Sequence, residues 1–458
     1  MWQILFFIRL LLSFGSIAPH FEVKVMAFSL AILDEGITNA TKNRLGKQTA
    51  FERDYLQRDF ETDNGIVATH GNLVFASALQ VSRSIDILDL KIGDHDGPID
   101  GRIEAGLKHL LASGSSYDLA AINMSFSGPD PSVFTDEIAA LGRNGAIVVA
   151  SSGNDGTHAA RETLPYPARL ANVIAVGSHD GLGKPTAFSN NGPGVDILAD
   201  GENVPRFGVD GTSFAAPQVA ATVTHVQAIV HGLTGDVLDT RQMIDALQWG
   251  GAAPLSRPDP ADGRSRYFLH DHAGTLDYAW SKYGGTPTRA LEYVASHEDL
   301  IALIGADPDA GRRHFENHGS VEGRSITFDG LDCIASYDDL IPAFATDSFA
   351  GASHFIVTGA REGRMISFEG LDYIASHGDL IEAFGVQPDA GTAHFVGQGF
   401  AEGRARDLFD AAQYLANYAD LRLAFVIDEE AATRHYVTTG YYEGRTDEAT
   451  AATVDFML

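Results

Sequence analysis

The sequence predicts an α/β domain with a doubly wound, mostly parallel sheet, followed by an α-helical repeat domain. Two apolar runs, residues 25–33 and 145–150, each end in a polar turn. This is typical of buried parallel strands whose carboxyl ends carry a site. A long apolar helical run follows the turn at Gly211. One pattern then returns four times with a period of about forty residues, which indicates a repeat array.

Three polar residues lie at ends of these predicted elements. Asp34 ends the first strand, where sheets of this class place their sites. His70 stands between a loop and the helix-compatible stretch 73–79, which makes it a candidate general base. Asn154 follows the second strand in a glycine-flanked turn, so its amide is a candidate donor to a developing negative charge. The structural alternatives are a strand-end turn residue for Asp34, a helix cap for His70 and a turn former for Asn154.

Ser213 lies where a polar turn gives way to the long apolar helix. Gly211 allows the tight turn, and Pro217 is expected in the first helical turn, where its missing N–H costs little. The serine is then exposed near the positive end of the helix dipole, a position that suits a nucleophile. The alternative is an ordinary N-capped helix, because Ser, Thr and Gly are common caps.

The order Asp34, His70, Asn154, Ser213, each within its own motif, resembles the subtilisin-like serine proteases (subtilases) over roughly the first 250 residues. The resemblance implies a serine endopeptidase that works by acyl transfer. Ser213 would be its nucleophile, His70 the general base and Asp34 the acid that orients the imidazole. Asn154 would donate to the oxyanion. The resemblance also implies residues that flank the substrate cleft, namely Ser125, Phe126, Ser127, Gly128, Ser151, Ser152 and Gly153.

Two positions depart from the usual subtilase motifs. Glu35 stands where the family usually has Ser or Thr after the catalytic aspartate, and it brings a second negative charge close to His70. Asn72 replaces the threonine that usually follows the glycine after the histidine. The alternative function is therefore a catalytically degenerate subtilase fold that serves as a binding module.

Composition limits the partners. The chain has 61 acidic and 32 basic residues and a net charge of −29, which argues against nucleic acid or an anionic membrane. Cys333 is the only cysteine, so no intrachain disulfide can form. We expect protein or peptide substrates, no cofactor and no metal. Structural calcium at the acidic loop of Asp94, Asp96 and Asp100 is the alternative to a solvated turn.

The predicted domains are an apolar segment at 1–20, a catalytic domain at 21–285, four helical repeats at 286–446 and a tail at 447–458. Arg9 interrupts the apolar segment, so neither a good signal peptide nor a stable membrane span is expected. The tail ends in one acid and three apolar residues, which resembles the terminal signal of type I export in Gram-negative bacteria. We expect an extracellular protein, with the cytoplasm as the alternative.

Each repeat has two halves with apolar residues three and four apart, which predict short amphipathic helices. The second half carries a histidine beside an aromatic residue, then a glycine expected to end the helix, then Glu-Gly-Arg. Only one histidine per unit stands at this recurring position, which favours packing over metal binding. Glu-Gly-Arg is expected to form an ion pair or turn contact between units. The array is a candidate for binding a surface or another protein. The recurring residues are His314, His354, His394 and His435, with Gly319, Gly359, Gly399 and Gly440 as the expected helix ends.

Overall fold

The computed structural model describes residues 28–54, 69–94, 97–98, 100–116, 118–127, 134–202, 208–256 and 266–449. The strands in these ranges are β1 (Ser29–Asp34), β2 (Phe51–Asp54), β3 (Asp86–Lys91), β4 (Gly93–Asp94), β5 (Gly97–Pro98), β6 (Leu119–Met124), β7 (Ile147–Ser151), β8 (Val173–His179), β9 (Ile197–Asp200), β10 (Ala252–Ser256) and β11 (Arg266–Leu269). Nine of these strands form one sheet in the order β10, β11, β9, β8, β7, β6, β1, β3, β2. Neighbours run parallel except β10 and β11.

Helices cover both faces of the sheet. In the first 282 residues they are α1 (Asn39–Leu45), α2 (His70–Val81), α3 (Asp100–Ser113), α4 (Thr135–Arg143), α5 (Thr212–Thr234), α6 (Thr240–Gly250) and α7 (His272–Lys282). Along β1, Leu30 and Ile32 point into the core shared with α2 and α5, whereas Ala31 and Leu33 point into the core shared with α3 and α4. A strand that is apolar on both sides belongs in a sheet covered on both faces. The predicted doubly wound α/β class is confirmed.

The topology creates a crevice at the carboxyl ends of the central strands. β1 pairs with β3 on one side and with β6 on the other, so the strand order reverses at β1. Open α/β sheets hold their sites at such a reversal, outside the carboxyl ends of the strands. Asp34 is the last residue of β1, and Ser125 directly follows β6. The two residues therefore reach the same crevice.

Short helices make up the four repeats, which we call units 1 to 4 (residues 286–326, 327–366, 367–407 and 408–446). Their helices are α8 (Pro287–Ala295), α9 (Glu298–Leu303), α10 (Pro308–His314), α11 (Gly330–Ala335), α12 (Ile341–Phe344), α13 (Ser348–His354), α14 (Ala360–Glu362), α15 (Gly370–Ala375), α16 (Gly378–Phe384), α17 (Pro388–His394), α18 (Phe400–Glu402), α19 (Ala411–Asn417), α20 (Ala419–Phe425) and α21 (Glu429–His435). In each unit, the helix that ends in the recurring histidine continues into a π-helical turn. These turns are Phe315–Gly319, Phe355–Gly359, Phe395–Gly399 and Tyr436–Gly440.

The expectation that these glycines end the helices holds in units 1 and 4, where the π-helical turns end at Gly319 and Gly440, but was wrong in units 2 and 3, where α14 and α18 follow Gly359 and Gly399 directly. None of the four has a left-handed backbone, so packing must explain why glycine stands there. Gly319, for example, faces the Tyr293 ring, and an added Cβ would lie 1.9 Å from its hydroxyl oxygen. The residue with left-handed backbone is instead the glycine of Glu-Gly-Arg. Its φ lies between 70° and 73° at Gly323, Gly363, Gly403 and Gly444. The first glycine is needed for space, and the second for conformation.

The repeated polar residues hold each unit together. The histidine accepts from or donates to a buried tyrosine, as in the 2.9 Å contact of Tyr293 Oη with His314 Nδ1. The arginine of Glu-Gly-Arg forms the predicted ion pair, but with an aspartate 25 residues earlier in the same unit, so its expected place between units was wrong. The pairs are Arg324 with Asp299, Arg364 with Asp339, Arg404 with Asp379 and Arg445 with Asp420, at 2.8 to 2.9 Å.

Unit 2 lacks the buried tyrosine, because Cys333 occupies its position. Among the described residues, the buried Nδ1 of His354 has no hydrogen-bond partner. An added Cβ at Gly359 would come no closer than 3.2 Å to another heavy atom, so the space that tyrosine fills elsewhere is partly free. Burial raises the pKa of the Cys333 thiol to about 11, which keeps it protonated.

Unit 1 packs directly against the sheet domain. The Phe315 ring is fully buried and lies 5.6 Å from Trp280, and an added Cβ at Gly232 of α5 would lie 2.7 Å from that ring. The Phe28 N–H donates to the Val321 carbonyl at 3.1 Å. The apolar core is therefore continuous from α5 into the repeats. Across the described ranges, we find no helix with the length and apolar character that a membrane span requires.

Candidate active site

Asp34 and His70 form a hydrogen-bonded pair at the carboxyl end of β1. Both carboxylate oxygens of Asp34 lie 3.0 Å from His70 Nδ1. The Asp34 side chain is 4% exposed and the His70 side chain 34% exposed, so the acid is buried while the ring reaches solvent. A carboxylate at Nδ1 holds the proton on that nitrogen and leaves Nε2 as the basic atom of the neutral ring.

The start of α2 fixes the distance between these two side chains. Thr69 caps the helix, and the Glu35 carboxylate accepts from the His70 N–H at 2.9 Å. Gly71 lies against Gly36, and an added Cβ at Gly71 would come within 2.6 Å of the Gly36 carbonyl oxygen. The loop after β1 and the first turn of α2 therefore touch backbone to backbone.

The electrostatics of the pair favour a protonated ring. Burial lowers the pKa of His70, but the charge and hydrogen bond of Asp34, together with the charge of Glu35, outweigh it and raise the pKa to about 9. At neutral pH, the imidazole of the free protein is therefore mostly protonated. A reaction that uses Nε2 as a base then requires alkaline pH.

Ser213 is the second residue of α5, which begins at Thr212. Pro217 thus lies in the second turn of the helix, whereas the sequence analysis expected it in the first turn. Its missing N–H leaves the Ser213 carbonyl, four residues earlier, without a helical partner. Ser125 Oγ donates to that carbonyl at 2.7 Å, and Ser213 Oγ donates to the Ser125 carbonyl at 3.1 Å. This reciprocal pair ties the residue after β6 to the start of α5.

The start of α5 also meets the histidine. The ring of Phe214 packs 5.5 Å from the His70 ring. Within the described residues, no hydrogen bond joins His70 to Ser213. A rotation about the Cα–Cβ bond of Ser213 is needed before its hydroxyl can donate to Nε2.

Asn154 lies on the other side of the same helix start. Its Oδ1 accepts from the Thr212 N–H at 3.0 Å and from Thr212 Oγ1 at 2.9 Å. Because a backbone N–H can only donate, this contact fixes which end of the amide is oxygen. The Asn154 Nδ2 donor is left for another acceptor, and the residue is exposed.

The profile of the subtilase family matches residues 27–248. Residues 27–248 form a subtilase domain. Subtilisin BL of Lederbergia lenta is 32% identical over 171 residues, which are 36% of this chain and 60% of that protein. An alkaline protease of Alkalihalobacillus alcalophilus is 36% identical over 213 residues, which are 43% of this chain and 53% of that protein.

The chain thus spans between half and two thirds of the length of these two relatives. Among solved structures, one titled as the crystal structure of a lanthipeptide protease covers 54% of this chain and 86% of its own, with 19% identity and a TM-score of 0.45.

In the subtilase domain, the loop that carries Asn154 is held by Asn190, which the sequence analysis did not single out. Asn190 Nδ2 donates to the Ser152 carbonyl at 2.9 Å, and its Oδ1 accepts from the Thr157 N–H at 3.1 Å. Gly153 has a φ of 99°, and a Cβ there would lie 2.6 Å from Asn190 Nδ2. An asparagine two residues before a glycine is too common a pattern to have indicated this role.

The residues predicted to flank the cleft differ in accessibility. Ser125, Ser151, Ser152 and Gly153 are buried, and Ser152 Oγ donates to the Asn190 carbonyl at 2.9 Å. Phe126 is half-buried and Ser127 is exposed. Gly128 lies outside the described residues, as do Asp96, the segment 1–27 and the last nine residues.

The two departures from the family motifs have structural partners. Glu35 caps His70, as described above. Asn72 is 3% exposed, and its Oδ1 accepts from the Thr38 N–H at 2.8 Å, which ties α2 to the loop after β1. Both residues therefore support the backbone around the Asp34 and His70 pair. Among the described residues, we find no group of three or more His, Cys, Asp or Glu side chains arranged to hold a metal ion.

Proposed function

We propose that this protein is a serine endopeptidase in which Asp34, His70 and Ser213 form the catalytic triad. The observation that carries the proposal is the contact of both Asp34 oxygens with His70 Nδ1, beside the helix start that bears Ser213. An imidazole held in this way has its free nitrogen directed away from the acid, as general base catalysis requires.

The proposed reaction is acyl transfer. Ser213 Oγ attacks the carbonyl carbon of a peptide bond while its proton passes to His70 Nε2. The tetrahedral intermediate collapses when the imidazolium returns this proton to the leaving amine, which departs and leaves an ester on Ser213. Water then attacks the ester with His70 as base, and the acid is released with the serine restored.

The charge that develops on the carbonyl oxygen needs donors that are already in place. We assign this role to Asn154 Nδ2 and the backbone N–H of Ser213. The Thr212 contacts orient the amide before substrate arrives, and the first N–H groups of a helix have no partner within it. Preorganised donors of this kind stabilise the transition state more than the substrate.

The proposed substrates are protein or peptide chains in extended conformation. Of the described residues predicted to flank the cleft, Phe126 and Ser127 are accessible, so we assign their backbone to pair with the substrate as an added strand. We further propose an extracellular location and a binding role for the repeats towards a surface or another protein.

One observation favours the alternative of a binding module without hydrolysis. The Ser213 hydroxyl donates to the Ser125 carbonyl and not to His70. If that hydrogen bond persisted with substrate bound, the serine would not be activated.

A fluorophosphonate, which reacts covalently with an activated serine, separates the two functions. We expect the wild-type protein to be labelled faster as pH rises towards 9. Ser213→Ala should not be labelled, and its kcat on a peptide substrate should be lower by about 10⁶-fold. Ser127→Ala removes an exposed serine of the same region and should keep the label. Absence of wild-type labelling between pH 7 and 10 would favour the binding module.

A further inference from the structure

The repeats form grooves where consecutive units meet, and these grooves can be compared position by position. Each groove has a helix-ending alanine and an acidic position from one unit and an aromatic residue from the next. The matching sets are Ala295, Glu298 and Phe355 between units 1 and 2, Ala335, Asp338 and Phe395 between units 2 and 3, and Ala375, Gly378 and Tyr436 between units 3 and 4.

Between units 2 and 3, an arginine of the chain itself occupies the groove. Arg406 Nε donates to the Ala335 carbonyl at 3.0 Å, and its Nη2 contacts the Asp338 carboxylate. The guanidinium carbon lies 5.0 Å from the centre of the Phe395 ring. A helix-end carbonyl, a carboxylate and an aromatic face thus satisfy one guanidinium from three directions.

Between units 3 and 4, a tyrosine fills the corresponding space. Gly378 replaces the acidic residue, and an added Cβ there would lie 2.7 Å from the Tyr441 hydroxyl oxygen. Where the carboxylate is missing, the groove is therefore closed by an aromatic side chain of the next unit.

The groove between units 1 and 2 keeps the three groups but, in the described part of the chain, no guanidinium or tyrosine fills it. Ile366, which packs half-buried against the core, stands at the register position of Arg406 and offers no donor to these groups. Ala295, Glu298 and Phe355 line it, and Ala360 stands where units 3 and 4 have Phe400 and Tyr441. The exposed Glu298 carboxylate has no hydrogen bond or ion pair in the described part of the chain.

Two arginines of unit 2 also line this groove without occupying the position of the Arg406 guanidinium. Arg361 donates to the Val357 carbonyl of its own helix. Arg364 is paired with Asp339 and Glu362. Neither satisfies the Glu298 carboxylate.

We propose that the groove between units 1 and 2 is a binding site for an arginine side chain of a partner protein. The guanidinium would donate to the Ala295 carbonyl and to Glu298 and stack on Phe355, as Arg406 does one unit further on. The net charge of −29 favours approach of a basic segment. Lysine would bind less well, because an ammonium lacks the planar fork that meets two acceptors and a ring at once.

The probe is a fluorescein-labelled, end-blocked peptide with a single arginine between glycine and serine residues. Fluorescence anisotropy would measure its binding to the full-length Ser213→Ala protein, which prevents cleavage. We expect saturable binding, about tenfold weaker when citrulline, which is uncharged, replaces arginine. Glu298→Gln should cause a similar loss, and Ala360→Phe should abolish binding by filling the groove.

Asp338→Asn is the matched control. It changes the same position in the occupied groove and should leave peptide binding unchanged. Equal affinity for the arginine and citrulline peptides would overturn the proposal. Arginine binding that survives both Glu298→Gln and Ala360→Phe would also overturn it, because the peptide would then bind elsewhere, for example in the catalytic cleft. Glu298 is exposed, so its variant remains informative if Ala360→Phe fails to fold.

Discussion

Replacing Glu35 by Gln tests the electrostatics of the proposed triad with little change in shape. Glutamine keeps a side-chain oxygen that can accept from the His70 N–H, so the cap on α2 is retained while one negative charge is removed. The native pKa of His70 is about 9, raised by the charges of Asp34 and Glu35 against the effect of burial. Because Asp34 contributes more than Glu35, the variant should still titrate above the ordinary value.

The magnitude follows from that pKa. At pH 7, about 1% of the wild-type rings are neutral, so kcat/KM should rise about tenfold per pH unit and level off above pH 9. Opposite charges within roughly 4–6 Å shift a pKa by about 1–3 units. Glu35 contributes least among the groups that raise the pKa of His70, so its removal should lower this pKa only modestly. Glu35→Gln should therefore raise kcat/KM at pH 7 by less than about tenfold and leave the alkaline plateau unchanged.

The assay is hydrolysis of a chromogenic peptide between pH 5 and 11, with kcat/KM fitted to a single ionisation. Asp136→Asn is a suitable control, because it removes a carboxylate from the first turn of a different helix, α4. A wild-type profile that levels off near pH 6.5 would refute the reasoning about His70. If Glu35→Gln leaves the rise of kcat/KM with pH unchanged, Glu35 acts only as a cap.

Three further predictions concern other parts of the chain. Asn154→Ala should lower kcat by about 10²–10³-fold with little change in KM, because the amide acts on charge that develops in the transition state, and a change confined to KM would indicate substrate binding instead. Cys333→Tyr should raise the free energy of unfolding by about 1 kcal/mol by giving His354 the partner it lacks, and a lower melting temperature would mean that the space is too small. A chain ended after residue 326 should stay soluble and active, whereas one ended after residue 285 should aggregate because it loses the buried Phe315 ring; equal solubility of the two would contradict a shared core.

The sequence determined the fold class and the positions of its chemistry along the chain. Apolar runs that end in polar turns are local patterns, and they predicted the strands before Asp34 and Asn154 and the helix after Gly211. The order of the motifs identified the family. The repeat period likewise gave the number and spacing of the helical units. The assignments of Asp34, His70, Asn154 and Ser213 as catalytic residues stay predictions until the activity is measured.

Only the tertiary structure decided how these local elements meet. Three contacts of the site join residues 33 to 88 positions apart, namely Gly36 with Gly71, Ser125 with Ser213, and Asn190 with Thr157. No local pattern encodes such contacts. The repeats show the same limit at short range. Glycine favours a helix end, so the sequence predicted one at Gly399, but the packed Tyr373 requires glycine there for space, and α18 continues directly after it. Local sequence sets what each segment can form, and packing between distant segments selects which use of a residue prevails.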